Sequence, residues 1–297
     1  MSGQGKSTQK EPVESRRRAA SRGSPKGIAM PVGGAEVREP GAEIVSTFFE
    51  LSGGKSARIV ILPTASSDPT TGEIYLDVFR KMGADSVEIA RIASREEANS
   101  DPMVELFRSA SGIYITGGKQ ARLVMFVAGT RSADAIEFSY QQGTVVAGTS
   151  AGASFLPAHV MAEGEAESAP RKGMVDLVAG LGLLDDVLID QHFNNRGRFG
   201  RLLAVFAGNP GLIHLGIDEN TAMVIQPDGI ARVIGENSVT VVDGRNVISD
   251  YFEREEGEVI TISGSLLHVL GRGRCFDLFN RVVVDLEQEQ TRQHAAA

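Results

Sequence analysis

The sequence holds few of the residues that several common kinds of site require. A single cysteine, Cys275, excludes an internal disulfide and any site built from several thiolates. It stands beside Phe276 in a strand-like run, which reads as a buried thiol. No apolar run approaches the ~20 residues that span a membrane. The N-terminus lacks the apolar core of a secretory signal. These absences predict a cytoplasmic protein without a membrane partner. The chain offers only five histidines, so the choice of a general base is narrow. Positive charge is confined to one end. Residues 1–26 carry seven Lys/Arg against two Glu, a net of +5, which leaves −13 for the rest of a chain whose net charge is −8. An acidic body argues against a nucleic-acid partner. The basic, Ser-rich arm over 1–26 has no apolar periodicity and is expected to be disordered.

Most of the remaining 297-residue chain alternates apolar runs with helical spacings. Residues 27–32, 58–62, 86–90, 112–116 and 144–147 read as strands, each continuous enough for a sheet covered on both faces. Helical spacing follows over 43–51, 73–82, 102–109 and 121–126. This order predicts an α/β fold with a doubly wound, mostly parallel sheet. Further strands are expected at 187–190 and 213–217, with an amphipathic helix over 196–206 between them. Residues 221–270 alternate around turns at Pro227-Asp228-Gly229 and Asp243-Gly244, which predicts an antiparallel C-terminal extension of the sheet. A single domain over 27–288 and a frayed tail over 289–297 are expected. Gly53-Gly54-Lys55-Ser56 is not a phosphate loop. The first glycine of that pattern would fall on Phe49, and the stretch precedes a strand instead of following one.

The chain is organised around Gly148-Thr149-Ser150-Ala151-Gly152, where the fifth strand turns into a helix. A serine between small residues at such a turn has the design of a nucleophile elbow. The amide of Ala151, at the new helix N-terminus, is placed to meet an oxyanion. Gly118, after the fourth strand, is a candidate second donor. Gly-x-Ser-x-Gly also arises by chance in a Gly-rich chain, where it closes an ordinary βα unit. Catalysis therefore needs a base. His294 lies in the tail. His214 and His268 sit in apolar strand patterns and His159 on a short strand. His192 follows a buried strand and precedes an Arg-rich helix, so it stands at a strand end. Its alternative role is to cap that helix. The acid that orients it is Asp218 or Glu219. Adjacent strand residues face opposite sides, so only one can serve.

Four stretches together carry a resemblance: Gly148 to Ala153, Asp190 to Phe193, Asn195 to Leu203 with its three arginines, and Gly216 to Thr221. In this order they resemble the cyanophycinases, serine-type peptidases of the dipeptidase E group (S51). The resemblance spans about residues 27–245. It implies a fold like that of class I glutamine amidotransferases, with Ser150 as nucleophile, His192 as base and Glu219 as acid. It also implies a pocket of Gln120, Asp190, Gln191, Arg196, Arg198 and Arg201, and release of β-Asp-Arg dipeptides from cyanophycin with neither metal nor cofactor. Arginine forks suit the arginyl carboxylates of that polymer, and Asp190 suits its guanidinium. A homodimer is expected by analogy. Two positions depart from the family pattern. Lys119 replaces the acid that precedes the pocket glutamine, and Val37-Arg38 follow Gly-Gly-Ala-Glu. The first admits an alternative, a dipeptidase for aspartyl or isoaspartyl peptides. A non-catalytic binding protein on the same scaffold is the alternative from another class.

Overall fold

The structure, a computed structural model, describes residues 26–164 and 168–284. Apart from Lys26, the expected basic arm lies outside the described residues, as does the expected tail. In order, the elements of the first half are β1 (Ala29–Val32), α1 (Glu43–Leu51), β2 (Arg58–Leu62), α2 (Thr71–Met82), β3 (Ser86–Ile89), α3 (Arg95–Ala98), α4 (Asp101–Ser109), β4 (Gly112–Ile115), α5 (Gln120–Phe126), α6 (Arg131–Gln142), β5 (Val145–Thr149) and α7 (Ala151–Phe155). The second half holds β6 (His159–Gly164), β7 (Val175–Ala179), β8 (Val187–Gln191), α8 (Phe199–Gly208), β9 (Ile213–Ile217), β10 (Thr221–Ile225), β11 (Ile230–Gly235), β12 (Ser238–Asp243), β13 (Ile248–Ser249), β14 (Ile262–Ser263), β15 (Leu266–Gly271), β16 (Cys275–Asp277) and β17 (Val282–Val284).

Five strands run parallel in the order β1-β5-β4-β2-β3, within a sheet that continues from β1 through β10, β11, β16 and β17. The fold is therefore α/β with a mostly parallel central sheet. Its short apolar strands, such as Arg58–Leu62, are buried on both faces because helices cover both. On one face Phe48 and Phe49 of α1 and Tyr75 and Phe79 of α2 pack on Met30, Ile59 and Tyr114. On the other, Phe107 of α4 and Ile136 of α6 pack on Val60, Ile113 and Val146. Helix α2 stops at Gly83, which takes φ +89° so that its N–H reaches the Arg80 carbonyl. Helix α6, which the spacing analysis passed over, starts at Thr130 and its side-chain cap on Ala133 N–H.

Cys275 is buried in β16. The strands from 221 onward do not all join one sheet. β10 and β11 pair with the central sheet, whereas β12 and β15 join β8 and β9 in a separate four-stranded sheet. The cause is local. Ser238 N–H and Oγ both bond the Asp218 carboxylate, which draws β12 onto β9 with Val239 opposite Ile217. An alternating pattern fixes which face a strand buries and leaves its partner open. The helix expected over 196–206 begins later, at Phe199. Residues 194–196 form a 3₁₀ turn that Gly197 ends at φ +58°.

Register brings the site together. Val32 pairs with Thr149 and Ile115 with Gly148, so β1, β4 and β5 end level. In the second sheet Gln191 pairs with Ile217, which levels residue 192 with the 218–219 turn. The two sheets meet where His192 N–H donates to Gly33 O at 2.8 Å; Gly33 N–H in turn donates to Thr221 O of β10, on the central-sheet side, at 2.9 Å.

Candidate active site

Ser150 stands between β5 and α7 at φ +53°, ψ −116°, a strained conformation for a residue with a Cβ. The turn closes only because its neighbours lack side chains. A Cβ on Gly148 would lie 2.3 Å from Gly152 O, and one on Gly152 would lie 2.3 Å from Ile115 O. Gly117 passes so near that its Cβ would stand 3.0 Å from the Ser150 Cβ. Ala151 opens α7 directly after Ser150, and Gly118, at φ +142°, follows β4. Neither amide donates to another backbone group among the described residues.

The hydroxyl does not stand alone. Ser150 Oγ lies 2.8 Å from His192 Nε2, and His192 Nδ1 lies 2.6 Å from Glu219 Oε1. An ionised carboxylate only accepts, so Nδ1 carries the proton. Nε2 is then left as the acceptor for the serine hydroxyl. The choice between the two acids follows from their contacts. Asp218 points away, accepting from Asn194 N–H at 2.9 Å and Ser238 Oγ at 2.7 Å. Glu219 faces the ring, and its own N–H is held by Asn195 Oδ1 at 3.0 Å. His192 caps no helix, since α8 begins seven residues later and both ring nitrogens are engaged.

The expected pocket residues divide. Gln120, at the start of α5, donates to Met161 O at 3.2 Å. Gln191 is buried beside the histidine, and its Oε1 has no hydrogen-bond partner among the described residues. Arg196 is exposed in the 3₁₀ turn. The sequence suggested that Asp190 would meet a substrate guanidinium, and the structure corrects this: Asp190 is not available to one. It is fully buried, with Arg198 Nη1 at 3.2 Å, Arg201 Nε at 2.7 Å and a further bond from Arg201 Nη2. Arg201 is likewise withdrawn from the pocket, being 4% exposed on that carboxylate. The reason is their position: Asp190 points inward near the end of β8, and the first turn of α8 closes over it. Arg198 leans back to donate to Gln191 O at 2.5 Å, and its Nε has no partner among the described residues. Lys119 is exposed at the start of α5, beside Gly118.

The sequence pattern of peptidase family S51 matches residues 29–233, which contain Ser150, His192 and Glu219. This chain belongs to peptidase family S51. The cyanophycinase of Synechococcus elongatus is 38% identical over 256 residues, covering 85% of this chain and 80% of that protein. That of Nostoc sp. (strain PCC 7120 / SAG 25.82 / UTEX 2576) is 38% identical over 263 residues, covering 87% and 88%. Among solved structures, a peptidase from an acI-B1 Actinobacterium has the same fold, with a TM-score of 0.63 at 22% identity over 87% of this chain and 99% of that one.

The electrostatics of this S51 peptidase favour a neutral His192. Burial pushes the His192 imidazole below its ordinary 6.5, and the positive charges of Arg196 and Arg198 push the same way against the Glu219 hydrogen bond. The base is therefore unprotonated to lower pH than a free histidine. The acid limb of kcat/KM is expected below pH 6.5, and Arg196→Gln is expected to move that limb upward by removing one depressing charge. A pH–rate profile of both enzymes checks this. An acid limb at or above 6.5 in the unmodified enzyme would contradict it.

Three supporting residues escaped the sequence reading. Asn195 holds the backbone of Glu219, Asn194 occupies Asp218, and Gly34 seats the imidazole. Gly34 left a trace in the double glycine that ends the first strand, and Asn195 opens one of the stretches that carry the resemblance, but neither pattern gave the residue its role.

Proposed function

We propose that this chain is a serine-type exopeptidase that hydrolyses cyanophycin (multi-L-arginyl-poly-L-aspartate) to β-Asp-Arg dipeptides. The observation that carries the reading is the unbroken relay of hydrogen bonds from Ser150 through His192 to Glu219, in a chain 38% identical to cyanophycinases over most of its length. The dipeptide product keeps its isopeptide bond. The bond broken is thus the main-chain amide between aspartyl residues.

Ser150 Oγ attacks that carbonyl carbon while His192 Nε2 takes the hydroxyl proton. The oxyanion forms between the N–H groups of Ala151 and Gly118. Glu219 holds the tautomer and stabilises the imidazolium. Collapse breaks the C–N bond, and the proton on Nε2 passes to the leaving nitrogen. Water then attacks the acyl-enzyme with the same histidine as base, which frees the carboxylate and restores the serine. No step calls for a metal or a cofactor. Gln120, Gln191, Arg196 and Arg198 are the pocket groups that recognise the arginyl carboxylate, and Asp190 and Arg201 fix the seat of Arg198. Residues 27–288 work as one peptidase domain on a class I glutamine amidotransferase-like scaffold with an antiparallel extension. The enzyme acts in the cytoplasm as a homodimer.

Lys119 favours a second reading, a dipeptidase for short aspartyl or isoaspartyl peptides. A cation beside the oxyanion loop opposes a guanidinium and welcomes a free carboxylate. Side-by-side turnover of cyanophycin and of small Asp-X and isoaspartyl-X peptides separates the two. The proposal expects kcat/KM for cyanophycin to exceed that for every dipeptide, and the reverse order would overturn it.

A further inference from the structure

The loop after β1 touches His192 and the residues next to Ser150 and Glu219. Gly33 O accepts from His192 N–H, and Gly34 O accepts from Asn220 N–H, each at 2.8 Å. Val37 N–H donates to Asn220 Oδ1 at 3.2 Å. The imidazole rests on the bare α-carbon of Gly34, where a Cβ would stand 2.4 Å from His192 Cε1. The same loop carries a carboxylate that no lysine or arginine neutralises among the described residues. Glu36 is only 3% exposed. It accepts from Thr149 Oγ1 at 2.6 Å, from Tyr114 OH at 2.9 Å and from Tyr75 OH.

Those three donors come from three elements. Thr149 is the last residue of β5, directly before the nucleophile. Tyr114 lies on neighbouring β4, in register with Ala147. Tyr75 comes up from α2, beneath the sheet. Burial, reinforced by the Glu36 charge, holds both phenols well above the usual tyrosine range. They therefore remain donors at any working pH. Burying a carboxylate is costly unless each lone pair is met, and here the cluster meets them with hydroxyls drawn from the nucleophile strand and its support.

We propose that Glu36 is a positioning residue, a clamp that fixes the loop seating His192 to the strand that presents Ser150 and so sets the distance between base and nucleophile. The inference rests on the reading of Ser150 and His192 as nucleophile and base. Reacting groups displaced by about 1 Å lose on the order of a hundredfold in rate, so a loosened clamp acts on chemistry before it acts on substrate affinity.

Glu36→Gln and Thr149→Val each remove a clamp contact, and Thr149→Ser keeps the hydroxyl. End-point labelling with a fluorophosphonate counts competent sites, which separates lost folding from lost rate. Per competent site, Glu36→Gln and Thr149→Val are expected to slow both labelling and kcat about tenfold or more with KM within about twofold, and Thr149→Ser to recover most of the loss. The one-dimensional proton signal of His192 Nδ1–H, downfield in its bond to Glu219, is expected to shift in Glu36→Gln. If Glu36→Gln does not fold, the two Thr149 variants decide alone. Unchanged rates per competent site with an unmoved proton signal would overturn the clamp and leave Glu36 a purely structural group. Failure of the unmodified enzyme to label would instead strike the nucleophile reading, and the proton signal would still report whether Glu36 sets the histidine's position.

Discussion

Replacing Ser150 by alanine is expected to lower kcat by about 10⁴- to 10⁶-fold, some 5–8 kcal/mol of transition-state stabilisation, with KM little changed. Among the described residues the hydroxyl has one hydrogen-bond partner, the Nε2 of His192 at 2.8 Å. What survives the substitution is binding and the oxyanion donors, which accelerate hydrolysis modestly without a nucleophile. The fold is expected to persist. Alanine adds no bulk at a turn whose closure depends on Gly148 and Gly152, and the strain at φ +53° is the same with either side chain. Thermal unfolding should therefore match the unmodified enzyme while turnover vanishes. A parallel loss of Tm would mean that the activity fell through the fold and not through the chemistry.

Replacing Asp190 by alanine is expected to do the opposite first, unfolding the second sheet before it touches the chemistry. Asp190 is fully buried and Arg201 is 4% exposed on it, so removal leaves a buried guanidinium without its counter-charge. Breaking such a pair costs about 3–5 kcal/mol, because the surviving ion keeps its desolvation cost and loses the attraction that offset it. For a chain of this size that is a fall in Tm on the order of 10 °C. Arg198 shares the damage. Burial already depresses it to about 10, against the pull of the Asp190 charge. Asp190→Asn keeps two polar atoms in place and should fall between the two. A thermal melt of Asp190→Ala within a degree or two of the unmodified protein would refute the assignment of Asp190 to the interior. It would restore Asp190 as a pocket residue facing substrate.

The turn at Ser150 was legible in the sequence because its requirements are local. Gly148, Ser150 and Gly152 are fixed by the closeness of one strand to one helix, and small residues at those spacings have few other uses. The parallel core was legible for a related reason, since Arg58–Leu62 and Val145–Thr149 are apolar throughout and only a sheet covered on both faces tolerates that. His192 could be singled out by its place at a strand end. The acid could not be chosen on spacing alone, because Asp218 and Glu219 alternate in direction and the deciding contacts come from Asn194, Asn195 and Ser238, up to 24 residues away. The resemblance to the cyanophycinases pointed to Glu219, and the hydrogen bonds do the same.

What could not be read depends on partners far along the chain. An arginine three residues into a helix looks like a solvated face, and only the closure of α8 over Asp190 turns Arg201 inward. β12 carries the same alternation whether it joins the central sheet or the second one. Glu36 stood out only as the last residue of Gly-Gly-Ala-Glu. Its role depends on Tyr75, Tyr114 and Thr149, the last of them 113 residues away. Each of these groups is polar and buried, and a period or a spacing reports only apolar faces.

The most direct measurement is incubation of the purified enzyme and its Ser150→Ala variant with cyanophycin granules, followed by mass analysis of the soluble products. The account predicts β-Asp-Arg dipeptide from the unmodified enzyme and none above background from the variant. Dipeptide released at equal rates by both, or granules left intact by both, would contradict it.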